Sequence, residues 1–339
     1  MTAINLNASR CDSSDGPKVS VLMPVFNAVP YLQAAIQSVQ HQSFQDWELI
    51  LIDDGSTDGS RAACEHFVAE DPRVRLISRT HRGLKHTRNE ALFAAQGQYV
   101  ALLDSDDVAM PKRLEQQVEY LDSHPETVVV GGQAFQIDHE NRPLGRIRLE
   151  ADHASIESEL LMGRGSALVN SCATFRRDAA LTVGGYRHDV GEDLDFFLRL
   201  AELGRLENMP NQLIQVRRHL DSSTALCDQK RIHQLKLQIL EEAYQARGLT
   251  FDPARIPMMN HASSEAEATA VWLVLACRSG EWRTAIHYAL RTLNVTLRSP
   301  AMIGPVIKRL LYTASPAVLR RFVTRLRTRS SPVKQVGAQ

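Results

Sequence analysis

The opening third of the chain alternates short apolar runs with stretches of helical spacing. Val19-Ser20-Val21-Leu22-Met23 is apolar enough for a strand buried on both faces, and Pro24 stops it. Leu32, Ala35, Ile36 and Val39 then recur at the helical period, and residues 47–52 read as a second strand ending in Asp53-Asp54-Gly55. The pattern goes on to predict a helix over 58–69, a strand over 74–78, a helix over 84–95 and a strand over 99–103. Strict alternation of strand and helix requires crossover connections, hence an α/β fold on a mainly parallel sheet. Pro111 opens a further helix that runs to Ser123, and a strand follows over 127–130. Residues 131–224 mix short strands and loops with one helix near 194–203. From 226 the spacing is helical throughout, with segments near 226–247, 263–279, 282–294, 301–312 and 316–328. The pair over 263–294, joined at Ser279-Gly280, predicts an antiparallel helical hairpin. The expected layout is a disordered leader over 1–17, an α/β domain over 18–225, an all-helical C-terminal region over 226–330 and a flexible tail over 331–339. A linker over 248–257 marks the boundary.

Composition narrows the class. With 339 residues, 44% apolar and 23% charged, the chain matches an ordinary globular protein, which argues against disorder, collagen and coiled coil. Cysteines at 11, 64, 172, 227 and 277 form no paired motif, so a reduced, cytoplasmic compartment is expected and a zinc cluster is not. The longest stretch without Asp, Glu, Lys or Arg, 19–45, carries Pro24, Asn27, Pro30, His41 and five Gln, which no bilayer span tolerates. The apolar run 268–277 has ten residues where a span needs about 20. Residues 1–17 lack the apolar segment of a signal peptide.

Net charge is zero, yet no acid follows Glu281, while eleven Lys and Arg do. A segment of this kind seeks anionic lipid, nucleic acid or an acidic partner. Residues 301–330 read either as a solvated helix packed on the body or as an element docking peripherally on anionic membrane at its inner face; nucleic acid is the less expected partner.

In an open parallel sheet ligands bind beyond the carboxyl ends of the strands. Those ends carry Pro24-Val25-Phe26-Asn27, Asp53-Asp54-Gly55-Ser56-Thr57-Asp58 and Asp104-Ser105-Asp106-Asp107, three polar clusters on one edge. Carboxylates spaced by one residue suit a hard cation such as Mg²⁺ or Mn²⁺, which takes oxygen ligands and binds phosphate as well. Helix capping ahead of Pro111 is the alternative. Asp53 and Asp54 fit either turn chemistry or a bond to a ribose hydroxyl or base edge.

The ordered segments SVLMPVFNA, ELILIDDGSTDGS, RGLKHTRNEAL, GQYVALLDSDD, GGYR, GEDLDFFLRL and VRRH resemble the family 2 glycosyltransferases of GT-A fold, over about residues 18–224. The resemblance implies a GT-A (Rossmann-like) domain with a helical appendage. It also implies a nucleotide-sugar donor, a UDP-sugar above all, and inverting transfer to a hydroxyl of a glycan or lipid-linked acceptor. Carried over by motif, Pro24, Val25 and Asn27 would line the nucleotide pocket, with Asp53 or Asp54 on the uracil or ribose. Asp104, Ser105 and Asp106 would sit at the donor diphosphate, Arg88 near the diphosphate or donor sugar, and Asp104, Asp106 and His219 at the cation. The pair Glu192-Asp193 would supply the base: Asp193 as proton acceptor, Glu192 as a positioning group. Acids in the first turn of a helix also favour its dipole without any chemistry. The chain departs from the family pattern at His81 and at Lys85-His86, on the wall of the donor site. It lacks the Gln-x-x-Arg-Trp element of processive synthases, so addition of one or a few sugars is expected.

Three rivals remain in view. A nucleotidyltransferase would need a basic, Gly-rich loop after the first strand, and Pro24-Val25-Phe26-Asn27 is not one. A Rossmann dehydrogenase would need Gly-x-Gly-x-x-Gly there. A non-catalytic nucleotide- or glycan-binding protein, docked to membrane or nucleic acid by its basic tail, would have no use for the full set Asp54, Asp104, Asp106 and Asp193.

Overall fold

The computed structural model describes residues 16–220, 229–256 and 264–313. Most of the expected leader, the helix near 316–328 and the tail over 331–339 lie outside the described residues. The first half follows the alternation read from the sequence: β1 (Val19–Val25), α1 (Val29–Gln40), β2 (Trp47–Asp53), α2 (Ser60–Glu70), β3 (Val74–Ser78), α3 (Leu84–Ala94) and β4 (Tyr99–Leu102). Then come β5 (Val108–Ala109), α4 (Arg113–Ser123), β6 (Thr127–Asp138), β7 (Pro143–Ile147), α5 (His153–Leu161), β8 (Thr174–Arg176), α6 (Arg177–Thr182), α7 (Glu192–Leu200) and β9 (Arg205–Arg218). Four helices close the described chain: α8 (Gln229–Ala246), α9 (Glu265–Ser279), α10 (Trp282–Arg298) and α11 (Ile303–Thr313).

The nine strands form one sheet in the order β3-β2-β1-β4-β8-β6-β9-β5, with β7 on the side of β6. It is parallel from β3 to β4. Beyond β4 it becomes mixed: β8 runs antiparallel to β4 and β6, while β6 and β9 are parallel. Side chains alternate strictly across the parallel part. Leu22, Ile50, Ile52, Val100 and Leu102 face a core covered by α3, α5, α7 and α8. Val21, Met23, Leu49, Leu51 and Ala101 face a second core under α1, α2 and α4. Two buried faces explain why these strands are continuous apolar runs, and each fully buried Leu or Ile contributes about 1.5–3 kcal/mol.

The middle of the chain departs from the expectation. The strand expected over 127–130 continues to Asp138 as β6, through Gly131 and Gly132. A Cβ at Gly131 would lie 2.2 Å from Asn208 Oδ1, and one at Gly132 2.5 Å from Leu213 Cδ1. Close approach of β9 therefore selects glycine there, and pairing overrides the local preference for a turn. Helices α5 and α6 lie where loops and short strands were expected. Asp152 caps α5 by accepting from Ser155 N at 3.1 Å, and Ile156 and Leu160 bury its one apolar stripe.

A buried polar network locks β8 into the sheet. Arg113 donates to the carbonyls of Ser171 (2.7 Å) and Leu102 (2.8 Å) and to Gln117 Oε1 (3.0 Å). Gln117 in turn donates to the carbonyls of Cys172 and Val130. Full satisfaction is what makes such a network stable inside a core.

The helices after 226 attach at two places. Ile239, Leu240 and Ala243 of α8 share the core of α5 and α7. The α9–α10 hairpin sits on β7, where Leu144 packs with Trp272 and Tyr288. There Tyr288 Oη donates to Asp138 Oδ2 at 2.7 Å. Among the described residues no helix is long and apolar enough to cross a membrane.

Candidate active site

The parallel strands deliver three polar loops to one edge, and each loop is tied by hydrogen bonds. Asn27, at φ +49°, lies in the loop just after β1. Its backbone N–H donates to Ser56 Oγ at 3.0 Å, and its Oδ1 accepts from Thr57 N at 2.8 Å. Asp53 accepts from Ser56 N at 3.1 Å, closing an Asx turn. Pro24 is half-buried at the end of β1, opposite Ile52. The Val25 side chain packs inward in the core, and its carbonyl accepts from Asp54 N at 2.9 Å.

Asp54 is 3% exposed, and its carboxylate is saturated. It accepts from Arg79 Nε, Arg82 N and Gly83 N, all at 2.9 Å, with His81 Nδ1 also 2.9 Å away. The unusual His81 is thereby explained: it joins Asp54 and packs on the Phe26 ring, centroids 4.5 Å apart. Gly55 makes this possible, because at φ +80° its Cα faces His81 N, 2.8 Å from where a Cβ would sit. Arg79, which sequence reasoning missed, anchors the loop further through Thr87 and Glu90.

At the end of β4, Ser105 and Asp106 occupy a turn closed by Asp107 N donating to Asp104 O at 3.1 Å. The acids then diverge in role. Asp107 is buried and structural in its contacts: Ser171 Oγ donates to its Oδ2, and Arg217 N donates to its Oδ1 at 2.8 Å. Burial raises its carboxyl well above the ordinary range, and the Asp106 and Asp104 charges add to this. Asp106 Oδ2 stands 2.8 Å from His219 Nε2, so β9 brings the expected histidine to the acid motif. Arg217 supports both, donating to the Asp106 carbonyl at 2.9 Å and lying 4.7 Å over the Tyr31 ring.

Arg88 makes the decisive connection. It is 5% exposed, on the buried face of α3. One guanidinium nitrogen donates to Glu192 and another to Asp104 Oδ1 at 3.3 Å. A single cation thus links the end of β4 to the first residue of α7, although 16 and 104 positions separate the partners in sequence. Burial works against the Arg88 charge, but Glu192 and Asp104 outweigh it and hold its pKa above the usual guanidinium value. Burial also raises Asp104; Arg88 opposes this and Asp106 adds to it. Glu192 is pushed by burial up to about 7, against the pull of Arg88 and with the push of Asp193. Asp193 is only partly buried, and one of its oxygens accepts from Leu194 N at 2.7 Å.

The sequence-derived candidates therefore gather in three groups: Asn27, Asp53 and Asp54; Asp104, Arg88 and Glu192, with Asp193 adjoining; and Asp106 with His219. Among the described residues no three His, Cys, Asp or Glu side chains converge as a complete metal cage. Sequence reasoning missed Ser171, brought to Asp107 by a turn with no motif of its own; its neighbour Asn170 is buried with neither amide atom partnered.

Residues 20–184 match the family model "Glycosyl transferase family 2". A putative glycosyltransferase of Bacillus subtilis, EpsE, is 32% identical over 267 residues, 73% of this chain and 94% of that one. The chain belongs to glycosyltransferase family 2. Its reaction is accordingly glycosyl transfer from a nucleotide sugar. Among solved structures, TarS of S. aureus in complex with UDP-GlcNAc aligns with a TM-score of 0.57 at 17% identity, covering 76% of this chain and 72% of that one. The mannosyltransferase PcManGT of Pyrobaculum calidifontis, in complex with GDP-Man and Mn²⁺, aligns at 0.52 and 18% identity, over 94% and 89% of the two chains. The fold is GT-A with a helical C-terminal part, as expected. The matched residues 20–184 include the three polar loops that follow β1, β2 and β4, whereas Glu192, Asp193 and His219 lie beyond them.

Proposed function

We propose that this glycosyltransferase moves one sugar from a nucleoside-diphosphate sugar, with UDP as the first candidate, to a hydroxyl of a glycan or lipid-linked acceptor with inversion. The observation that carries the reading is the Arg88 bridge, because it fixes the acidic Glu192-Asp193 end of α7 against the acidic end of β4. Base and donor site then share one rigid frame, which proximity catalysis requires.

In this reading Asp193 is the base. Glu192 is committed to Arg88, while Asp193 keeps an oxygen free for the acceptor. The acceptor hydroxyl gives its proton to Asp193, and its oxygen forms a bond to the anomeric carbon from the side opposite the nucleotide. The bond from that carbon to the β-phosphate oxygen breaks, and the nucleoside diphosphate leaves with the electron pair. Asn27, Asp53, Asp54 and Pro24 shape the nucleotide end of the site, with Phe26 and His81 beside them.

A divalent cation fits the residues present. Asp106 and His219 already face each other, and only Ser105 separates Asp104 from Asp106 in the chain. Two or three protein ligands completed by diphosphate oxygens and water are what Mg²⁺ or Mn²⁺ accepts. Bound there, the cation would screen the negative charge that collects on the leaving diphosphate. The Mn²⁺ in the PcManGT complex supports the same reading.

For a lipid-linked acceptor, at the inner face of the cell membrane, the support is local. Helices α10 and α11 expose Leu290, Leu293, Leu297, Ile303 and Ile307, and no acid occurs over 282–313, where Arg298 and Lys308 are found. Apolar side chains among cations suit an anionic bilayer surface.

The test is thermal denaturation with UDP, GDP, dTDP and CMP, each with and without Mn²⁺, on wild type and Asp106→Ala. One diphosphate should stabilise the wild type only with metal, by about 2.7 kcal/mol at 100 times its Kd. An equal response in Asp106→Ala, or none in the wild type, refutes the donor and cation assignment.

A further inference from the structure

Helix α8 presents a mixed stripe to the body of the protein. Ile239, Leu240 and Ala243 pack in the core beside Leu194. One turn earlier on the same stripe stands Lys236, and one turn before that His233. Lys236 is 7% exposed and forms no hydrogen bond or ion pair among the described residues. The Nδ1 of His233 is likewise buried without a partner.

The surroundings of Lys236 locate it. Its Cδ lies 2.9 Å from the place a Cβ would take on Gly163, and a Cβ on Gly165 would lie 3.4 Å from both Asp193 oxygens. The Lys236 stem and the Asp193 carboxylate thus both lie against the turn over 163–165, with no ion pair between them. Burial lowers the Lys236 pKa, while the Asp193 charge acts in the opposite direction. The Lys236 ammonium is not itself sealed from solvent, so it is open to an anion, while its stem fills a place on the stripe that Leu or Met would fill without a charge. The donor-side cation Arg88 is already spent on two carboxylates, so the Lys236 charge answers to something else.

We infer that Lys236 is the counter-charge for an anionic group on the acceptor, a phosphate or a carboxylate seated at the Gly163–Gly165 turn beside Asp193. This rests on the reading of Asp193 as the base. It narrows the acceptor to an acidic class: a phosphorylated carrier, or a glycan bearing a uronate. The anion must enter next to the base, which places the nucleophilic hydroxyl within a sugar ring or so of the charge.

Thermal denaturation of the full chain in EDTA tests this, using 50 mM (roughly a ten-fold excess over a weak site) inorganic phosphate, glucuronate or glucose at matched ionic strength. Wild type, Lys236→Met and Lys236→Arg are compared. Without anion, Lys236→Met should melt at or above the wild type, since a partly desolvated charge without a partner has been removed while the packing of the stem is kept. Phosphate or glucuronate should raise the wild type and Lys236→Arg by about 2 °C or more and leave Lys236→Met unmoved. Glucose should move none. A response to phosphate alone identifies a phosphorylated carrier, and one to glucuronate alone an acidic glycan. If Lys236→Met melts well below the wild type, or responds to the anions equally, or if no anion acts, the inference fails. UDP with Mn²⁺ is run in parallel. A chain that binds UDP with metal but shows no Lys236-dependent response keeps the donor reading and loses this one; the reverse pattern loses the donor reading instead.

Discussion

The two halves of the site are built in opposite ways. On the edge formed by β1, β2 and β4, polar groups satisfy one another: Asp54 has four donors around it, and Asn27, Ser56 and Thr57 form a closed set. Across the sheet, where β9, the turn after α5 and α8 meet, polar atoms are left over. Both amide atoms of Asn170 and Nδ1 of His219 are buried without a partner among the described residues. Buried polar groups without partners are costly, and functional sites are where proteins tolerate them. The difference separates an edge whose polar groups are already paired from a region where several are not.

The largest expected effect cuts the second half alone. Asp193→Asn should lower kcat by about 10³-fold, in the range a general base supplies, while metal-dependent UDP binding and the melting temperature stay near wild type. Turnover within tenfold of wild type would remove Asp193 from its role. Next in size is Arg88→Met, which severs the link between the halves. It leaves Glu192 and Asp104 facing each other without a counter-charge, and breaking a buried pair in this way costs about 3 kcal/mol. Urea denaturation reads that loss directly. A change below 1 kcal/mol would mean that the halves are held together by packing rather than by the ion bridge.

How much of this could be read from the chain follows the same division. The parallel edge was legible because each loop directly follows its strand, so Asp53-Asp54 and Asp104-x-Asp106 sit together in sequence as they do in space. The far half is assembled from segments that carry no joint pattern. Ser171 reaches Asp107 across 64 positions and Arg217 across 110, distances over which periodicity says nothing. The strand expected over 127–130 is too short, because close packing against β9, which demands glycine at 131 and 132, is not visible in the chain. Lys236 was readable in principle: His233, Lys236, Ile239, Leu240 and Ala243 follow one helical stripe, but a charged residue in such a stripe reads as solvated until α7 is seen beside it. Arg113 was hidden for the same reason, as a cation on the inner face of α4.

A smaller effect tests whether the C-terminal hairpin steadies the far half. Tyr288→Phe removes the donor to buried Asp138 and should cost about 1–2 kcal/mol. Burial alone would raise the Asp138 carboxyl, but Tyr288 and the N–H groups of Arg142 and Glu140 hold it below the ordinary value. A depressed carboxyl contributes stability above its unfolded pKa and loses it as pH falls through the folded one. The penalty of Tyr288→Phe should accordingly shrink below about pH 4, the usual carboxylate range, and a penalty independent of pH would show that the hairpin is held by Trp272 and Leu144 instead.

The smallest effect is a matter of pH, and it separates rate from stability at the joint between the halves. Glu192 titrates at about 7 in the folded chain, above its ordinary 4.5. A carboxyl raised on folding favours the folded state when protonated, so that contribution is complete below the unfolded value and is lost as pH rises through 7. The Arg88 bridge needs the ionised form, however, and it ties the first residue of α7 to the end of β4. Between pH 6 and 8, a window chosen about that value, kcat/KM should therefore rise while the melting temperature falls slightly. At pH 7 about half the molecules carry the bridge in its charged form, roughly a twofold effect on rate. Glu192→Gln removes the titration, so both curves should flatten across this window, with the rate held below the wild-type plateau. If the variant keeps the wild-type acid limb, the limb belongs to another group, and Glu192 is a structural partner of Arg88 whose charge state the reaction does not sense.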